Sequence, residues 1–134
     1  MIDVVCAIIV RERRVLVTQR SESMQLPLKW EFPGGKIEES ESELESIHRE
    51  IMEELSIEIE ITSRLTQSIS YYGSTTIRLI PYLAKFISGQ IILAEHKDYS
   101  WKTKDQLRDL DWAVADIPIV DELLKAEHNA TWTL

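Results

Sequence analysis

Cysteine is all but absent. Cys6 stands alone in the chain, so no intramolecular disulfide can form, which fits a reducing cytoplasm. Its place inside an apolar run makes it a small buried hydrophobe and not a reactive thiol. Long hydrophobic runs are also missing. The longest, residues 4–10, is strand-sized and ends in Arg11-Glu12-Arg13-Arg14, which argues against a membrane-spanning helix. The N-terminus lacks a basic segment and Asp3 interrupts its start, which argues against a secretory signal. Positive charge is in deficit, with 15 Lys and Arg against 23 Asp and Glu and a net charge of −8. That balance disfavours polymeric nucleic acid as a partner, because such binding draws on phosphate neutralisation by Lys and Arg. It leaves a small phosphorylated ligand open, since divalent ions can bridge two sets of negative charge. Solubility alone accounts for most of the excess acid. Repeats, low-complexity segments and linkers are absent as well.

What is present is an ordinary globular mixture, 44% hydrophobic and 28% charged, which sets disorder aside. A chain of 134 residues suits one domain, residues 1–134, around one core. Residues 2–10 read as a mostly buried strand, 11–14 as a turn and 15–20 as a second strand, together an antiparallel hairpin. Residues 21–29 form a polar loop. Pro33-Gly34-Gly35 is the strongest break and sits directly before a helical pattern. Ser42 and Glu45 make a capping box for that helix, and Leu44, Ile47, Ile51 and Leu55 recur as its inward stripe. Residues 57–70 and 76–87 read as two longer strands joined around Tyr71-Tyr72-Gly73-Ser74, and Pro81 places the second at an edge or a bulge. A short strand over 99–102 and a helical turn from Lys104 follow. A terminal helix is expected from Asp116 to about residue 127, with Ile117, Val120, Leu123 and Leu124 inward and Pro118 in its first turn. Trp30, Trp101 and Trp112 are expected to pack in the core.

The chemistry concentrates in GGKIEESESELESIHREIMEELSI, residues 34–57. Glu50, Glu53 and Glu54 lie at i, i+3 and i+4 and project from one helix face. Three like charges held so close repel each other, and a hard divalent cation such as Mg²⁺ or Mn²⁺ relieves that repulsion. On spacing alone, a solvated acidic face explains them better. Two neighbours reverse the ranking. Arg49 can hold a carboxylate in a bidentate pair, and the Gly34-Gly35 backbone can approach a ligand or offer a carbonyl to a metal.

With those residues in place the segment resembles the Nudix box, G-x5-E-x7-R-E-U-x-E-E-x-G-U, where U is aliphatic. Gly35, Glu41, Arg49-Glu50, Ile51, Glu53-Glu54 and Ile57 take its fixed positions. Ser56 departs from it, standing where the family has a glycine that follows the helix and often needs a left-handed conformation. The resemblance runs over nearly the whole chain. Trp30-Glu31-Phe32-Pro33-Gly34-Gly35-Lys36, Glu95-His96 followed by Trp101, and Ala115-Asp116-Ile117-Pro118 are similar to the MutT and CTP pyrophosphohydrolase branch. The fold this implies is an α/β/α sandwich with a mixed sheet.

The resemblance also implies roles. Glu53 and Glu54 with the Gly34 carbonyl would bind Mg²⁺, with Mn²⁺ as an alternative, and Glu50 would be a ligand or the general base. Glu95 would reach the metal site or activate water, so the base is either Glu50 or Glu95. Arg49 would orient the carboxylates, and Glu41 would be structural. On the nucleotide side, Arg20 would lie near phosphate and sugar, and Phe32 would line the base pocket or simply fill the core. Asp116 would read the base, or else cap the terminal helix. A carboxylate there suits the exocyclic amine of cytosine. The implied reaction is Mg²⁺-dependent hydrolysis of a nucleoside triphosphate to a monophosphate and pyrophosphate, on CTP, dCTP or modified nucleotides. The alternatives are hydrolysis of another nucleoside diphosphate-linked substrate, or a catalytically silent nucleotide-binding module.

Overall fold

The computed structural model describes residues 1–125. Strand β1 (Ile2–Arg11) is buried on both faces because the sheet it belongs to is covered on both sides, which explains its unbroken apolar run. Cys6, Ile8 and Val10 enter one core cluster, while Val5, Ala7 and Ile9 enter the other. Glu12 and Arg13, both at positive φ, turn the chain tightly into β2 (Arg14–Gln19), completing the expected hairpin. β3 (Trp30–Glu31) and β4 (Gly34–Lys36) are short. They are followed by α1 (Glu43–Leu55), β5 (Glu58–Arg64), β6 (Ser68–Tyr72), β7 (Thr75–Ser88) and β8 (Asp98–Lys102). A 3-10 segment (Lys104–Asp109), a second one (Val114–Asp116) and α2 (Ile117–Lys125) close the described chain.

The sheet is mixed. Its main path runs β3-β2-β1-β7-β5, with β4 on β1, β6 on β7 and β8 on β2. β1 and β7 run parallel, from Ile2 opposite Ile77 to Val10 opposite Lys85, and the other pairings are antiparallel. α1 covers one face through Ile47, Ile51 and Leu55. α2 covers the other through Ile119, Val120 and Leu123. This is the expected α/β/α sandwich. Among the described residues no helix is long and apolar enough to cross a membrane.

Four expectations need correction. The strand read over residues 57–70 is two strands, β5 and β6, separated by Leu65, Thr66 and Gln67. Pro81 is not on an outer edge, since it faces Cys6 of β1 in the middle of the sheet. Its carbonyl accepts the Leu65 N–H, so its missing donor points at the gap between β5 and β6, where no ladder bond is lost. Leu44 is 46% exposed, and Ser46 is buried in the stripe instead. Ile117 is likewise exposed, and Ile119 takes the inward position. The last two residues expected in the terminal helix, 126 and 127, lie outside the described residues. Trp112 is buried, and Trp30 and Trp101 pack half-buried against the two clusters.

Candidate active site

α1 starts where its sequence says it should. Ser42 Oγ accepts the Glu45 N–H at 3.1 Å and Glu45 Oε1 accepts the Ser42 N–H at 3.0 Å. The phase this sets buries Ile47, Ile51 and Leu55 and turns Glu50, Glu53 and Glu54 toward the rim of the sheet. The three acids occupy the C-terminal half of the helix, and no basic residue lies in its last turn. The helix dipole therefore opposes them. That arrangement makes little sense as helix design and good sense as a site waiting for positive charge.

The Gly34–Gly35 backbone lies against this cluster. A Cβ on Gly35 would come within 2.3 Å of the Glu50 carboxylate, and one on Gly34 within 1.9 Å of the Val5 carbonyl oxygen. The absence of side chains is what lets the carboxylate, β1 and this strand share the space. Glu54 stands deeper. Burial, then the charges of Glu31 and Glu50, push its carboxyl up to about 9 against the pull of the Gly34 backbone. Its Oε2 is buried without a hydrogen-bond partner.

Arg49 does what the sequence suggested. Its Nε and Nη2 grip Glu41 at 2.6 and 3.0 Å, and its Nη1 donates to Glu50 at 2.9 Å and to Glu53 at 3.1 Å. The guanidinium holds the Glu41 carboxyl down at about 2, so Glu41 is a fixed anchor for Arg49. Glu53 faces solvent on the outer side of this fork. With Glu50 and Glu53 both turned to Arg49, no group of three or more His, Cys, Asp or Glu side chains among the described residues is gathered around one point.

Glu95 lies exposed on the loop after β7. The side chain that this loop sends into the site belongs to the next residue. His96 is 3% exposed, with Nε2 2.8 Å from Glu31 Oε2 and Nδ1 3.7 Å from Glu54 Oε2. The other Glu31 oxygen accepts from Arg20 Nη1 at 2.8 Å, and Arg20 Nε donates to the Gln25 carbonyl. β2 brings these groups together. Arg20 follows its end, Glu31 pairs with it from β3, and His96 lies two residues before β8 on its other side. Sequence reasoning gave no role to Glu31 or His96. The available signal was an acid within the otherwise apolar Trp30-Glu31-Phe32 run.

Asp116 stands directly before α2, and its Oδ2 accepts the Phe32 N–H at 2.9 Å inside the core. Burial, reinforced by Glu31, raises its carboxyl well above the usual range. Phe32 is buried, its ring 4.8 Å from that of Trp112, so the ring fills the core and the backbone N–H serves Asp116. Tyr72, which the sequence offered only as a turn residue, joins the same side of the site. Its hydroxyl is raised mainly by burial and feels Asp116, Arg20 and Glu31.

Two regions result. One holds Glu50 and Glu54 against Gly34–Gly35, a set of hard oxygen donors with one buried oxygen unsatisfied, and this fits a divalent cation of the Mg²⁺ class. The other, around Arg20, Glu31, Tyr72 and Asp116, sets a cation beside two carboxyl groups and a phenol. A family model described as the NUDIX domain matches residues 1–123. A Mycobacterium tuberculosis protein with the provisional name 8-oxo-dGTP diphosphatase 2 is 36% identical over 130 residues, 95% of this chain and 91% of that protein. The CTP pyrophosphohydrolase of Escherichia coli is 31% identical over 124 residues, 92% of each chain. The solution structure of the E. coli ORF135 protein superposes with a TM-score of 0.84 at 32% identity, covering 97% of this chain and 94% of the other.

Proposed function

The chain belongs to the Nudix family, and from that premise we propose that it is a Mg²⁺-dependent pyrophosphohydrolase converting a nucleoside triphosphate to a monophosphate and pyrophosphate. The observation that carries this reading is the pair of carboxylates, Glu50 and Glu54, set against a bare glycine backbone with a buried Glu54 oxygen lacking a partner. Glu50 and Glu54 would hold Mg²⁺ or Mn²⁺, with Glu53, the Gly34 carbonyl and Glu95 as further candidate ligands. The bound cation would neutralise phosphate charge and acidify a coordinated water.

The chain's own groups do the rest. Arg20 is fixed by Glu31 and meets phosphate or sugar. Glu50 or Glu95 accepts the proton of the attacking water. Attack at an internal phosphorus breaks one P–O bond, leaving the monophosphate and pyrophosphate. Arg49, anchored on Glu41, keeps Glu50 and Glu53 in register while the charges around them change.

For the base, Asp116 supports two readings. Ionised, it accepts from the exocyclic amine of cytosine, which favours CTP or dCTP. Protonated, as its burial promotes, it also offers an O–H, which suits a carbonyl-bearing edge such as that of oxidised guanine. The test is a panel of cytosine, uracil, adenine, guanine and 8-oxoguanine triphosphates, with and without Mg²⁺. Equal amounts of monophosphate and pyrophosphate are expected, released only with the cation. Orthophosphate with a diphosphate product, or turnover indifferent to Mg²⁺, would sink the reading. Activity confined to nucleotide sugars or dinucleotides would move the chain to another Nudix substrate class.

A further inference from the structure

A line of side chains connects the two regions of the site. Arg20 holds one Glu31 oxygen, the other Glu31 oxygen holds His96 Nε2, and His96 Nδ1 faces Glu54 Oε2. A carboxylate paired with arginine can only accept, so Nε2 carries the hydrogen toward Glu31 and Nδ1 is the atom left facing Glu54. Among the described residues, His96 Nδ1 and Glu54 Oε2 are the buried side-chain polar atoms without a hydrogen-bond partner. They are 3.7 Å apart. The backbone supports the same placement independently of the side chains. The Ala94 N–H donates to the Glu54 carbonyl and the Lys97 N–H to the Gln19 carbonyl. The loop is therefore pinned on one side of His96 to Glu54 itself, and on the other to the residue before Arg20.

We infer that His96 is a positioning residue that ties the cation-side carboxylate of Glu54 to the nucleotide-side pair of Arg20 and Glu31, so that one imidazole sets both halves of the site. The inference rests on the reading of Glu54 as a cation ligand. Such outer partners of a ligand fix its orientation, and losing one lowers metal affinity by roughly 10–100-fold.

The two nitrogens can be tested separately. The amide of His96→Gln reaches the place of Nε2, and that of His96→Asn reaches the place of Nδ1. Mn²⁺ binding to the nucleotide-free protein, followed by electron paramagnetic resonance, reads the cation side. KM for the nucleotide reads the other. His96→Gln should weaken Mn²⁺ binding by about tenfold or more while largely preserving KM. His96→Asn should do the reverse. Glu31→Gln, at the far end of the line, should raise KM and also weaken Mn²⁺ binding severalfold, though it touches no proposed ligand. Parallel losses in both His96 variants that simply follow a lower melting temperature would reduce His96 to packing and overturn the inference. Wild-type Mn²⁺ affinity in both variants would overturn it too. If neither His96 variant folds, Glu31→Gln decides, with unchanged Mn²⁺ affinity counting against the bridge. A wild-type protein that takes up no Mn²⁺ would overturn the cation site and the bridge together, a different result from either failure of the bridge alone.

Discussion

Asp116 accepts the Phe32 N–H from inside the core, so under the proposed reading it is the other oxygen that would read a base. Asp116→Asn keeps an acceptor for Phe32 but replaces the other oxygen with an NH₂. A buried polar group that loses its partner costs about 1–3 kcal/mol, roughly a ten- to hundredfold shift in kcat/KM between nucleotides. CTP and dCTP hydrolysis should fall and guanine or 8-oxoguanine triphosphates should gain relative to them, as measured by kcat/KM across the base panel. A uniform drop would assign Asp116 to support of the Phe32 backbone. Glu54→Gln keeps shape and removes charge. Outer partners of metal ligands matter by roughly 10–100-fold, so losing a ligand should cost at least that in turnover, and wild-type rates would remove Glu54 from the site. The grouping of Glu50, Glu53 and Glu54 was readable because helical spacing puts them on one side of α1, whereas spacing did not say that Glu53 turns to solvent and Glu54 inward. Glu31 and His96 were not, because they meet only through the pairing of β3 and β8 with β2, which no local pattern encodes.

α1 shows how far local signals reach. Its capping box and the Ile47, Ile51 and Leu55 stripe were legible and correct. Leu44 and Ile117 satisfied the same periodicity and still face solvent, with Ser46 and Ile119 buried in their place. Ser56 ends α1 in the left-handed region at φ 59° and ψ 35°, the conformation expected where the box usually has glycine. A residue with a Cβ pays roughly 1 kcal/mol there. Ser56→Gly should therefore raise the urea midpoint by an amount equivalent to about 1 kcal/mol without changing kcat. A lower midpoint would mean that the Ser56 side chain contributes more than its backbone strain costs. The turn also carries function at a distance, since the Ile92 and Ala94 N–H groups satisfy the Leu55 and Glu54 carbonyls and so seat the His96 loop on the end of the helix.

At the scale of the whole molecule, buried acid links folding to pH. Glu54 rises from an ordinary 4.5 to about 9 in the folded chain, so the native state prefers its protonated form. Its contribution to stability is complete below about 4.5 and is lost progressively as pH climbs toward 9. The melting temperature in chelator should therefore fall across that window. Mg²⁺ should raise it, and more so at the alkaline end, where no proton competes for the carboxylate. Glu54→Gln should flatten both trends, and a melting curve indifferent to pH and Mg²⁺ would contradict the burial of charge at this position. The mixed sheet has a different consequence for how the protein comes into being. β1 finds its long parallel partner only in β7, from Val4 opposite Leu79 to Val10 opposite Lys85. On the ribosome, β1 must wait for residue 85 before the sheet can close, and α1 has only half of its floor until Ile80, Tyr82 and Ala84 arrive. Such distant pairing folds slowly and leaves apolar surface uncovered meanwhile. The acidic site is thus assembled late in synthesis, and residues 4–10 are the stretch for a chaperone to shield until then.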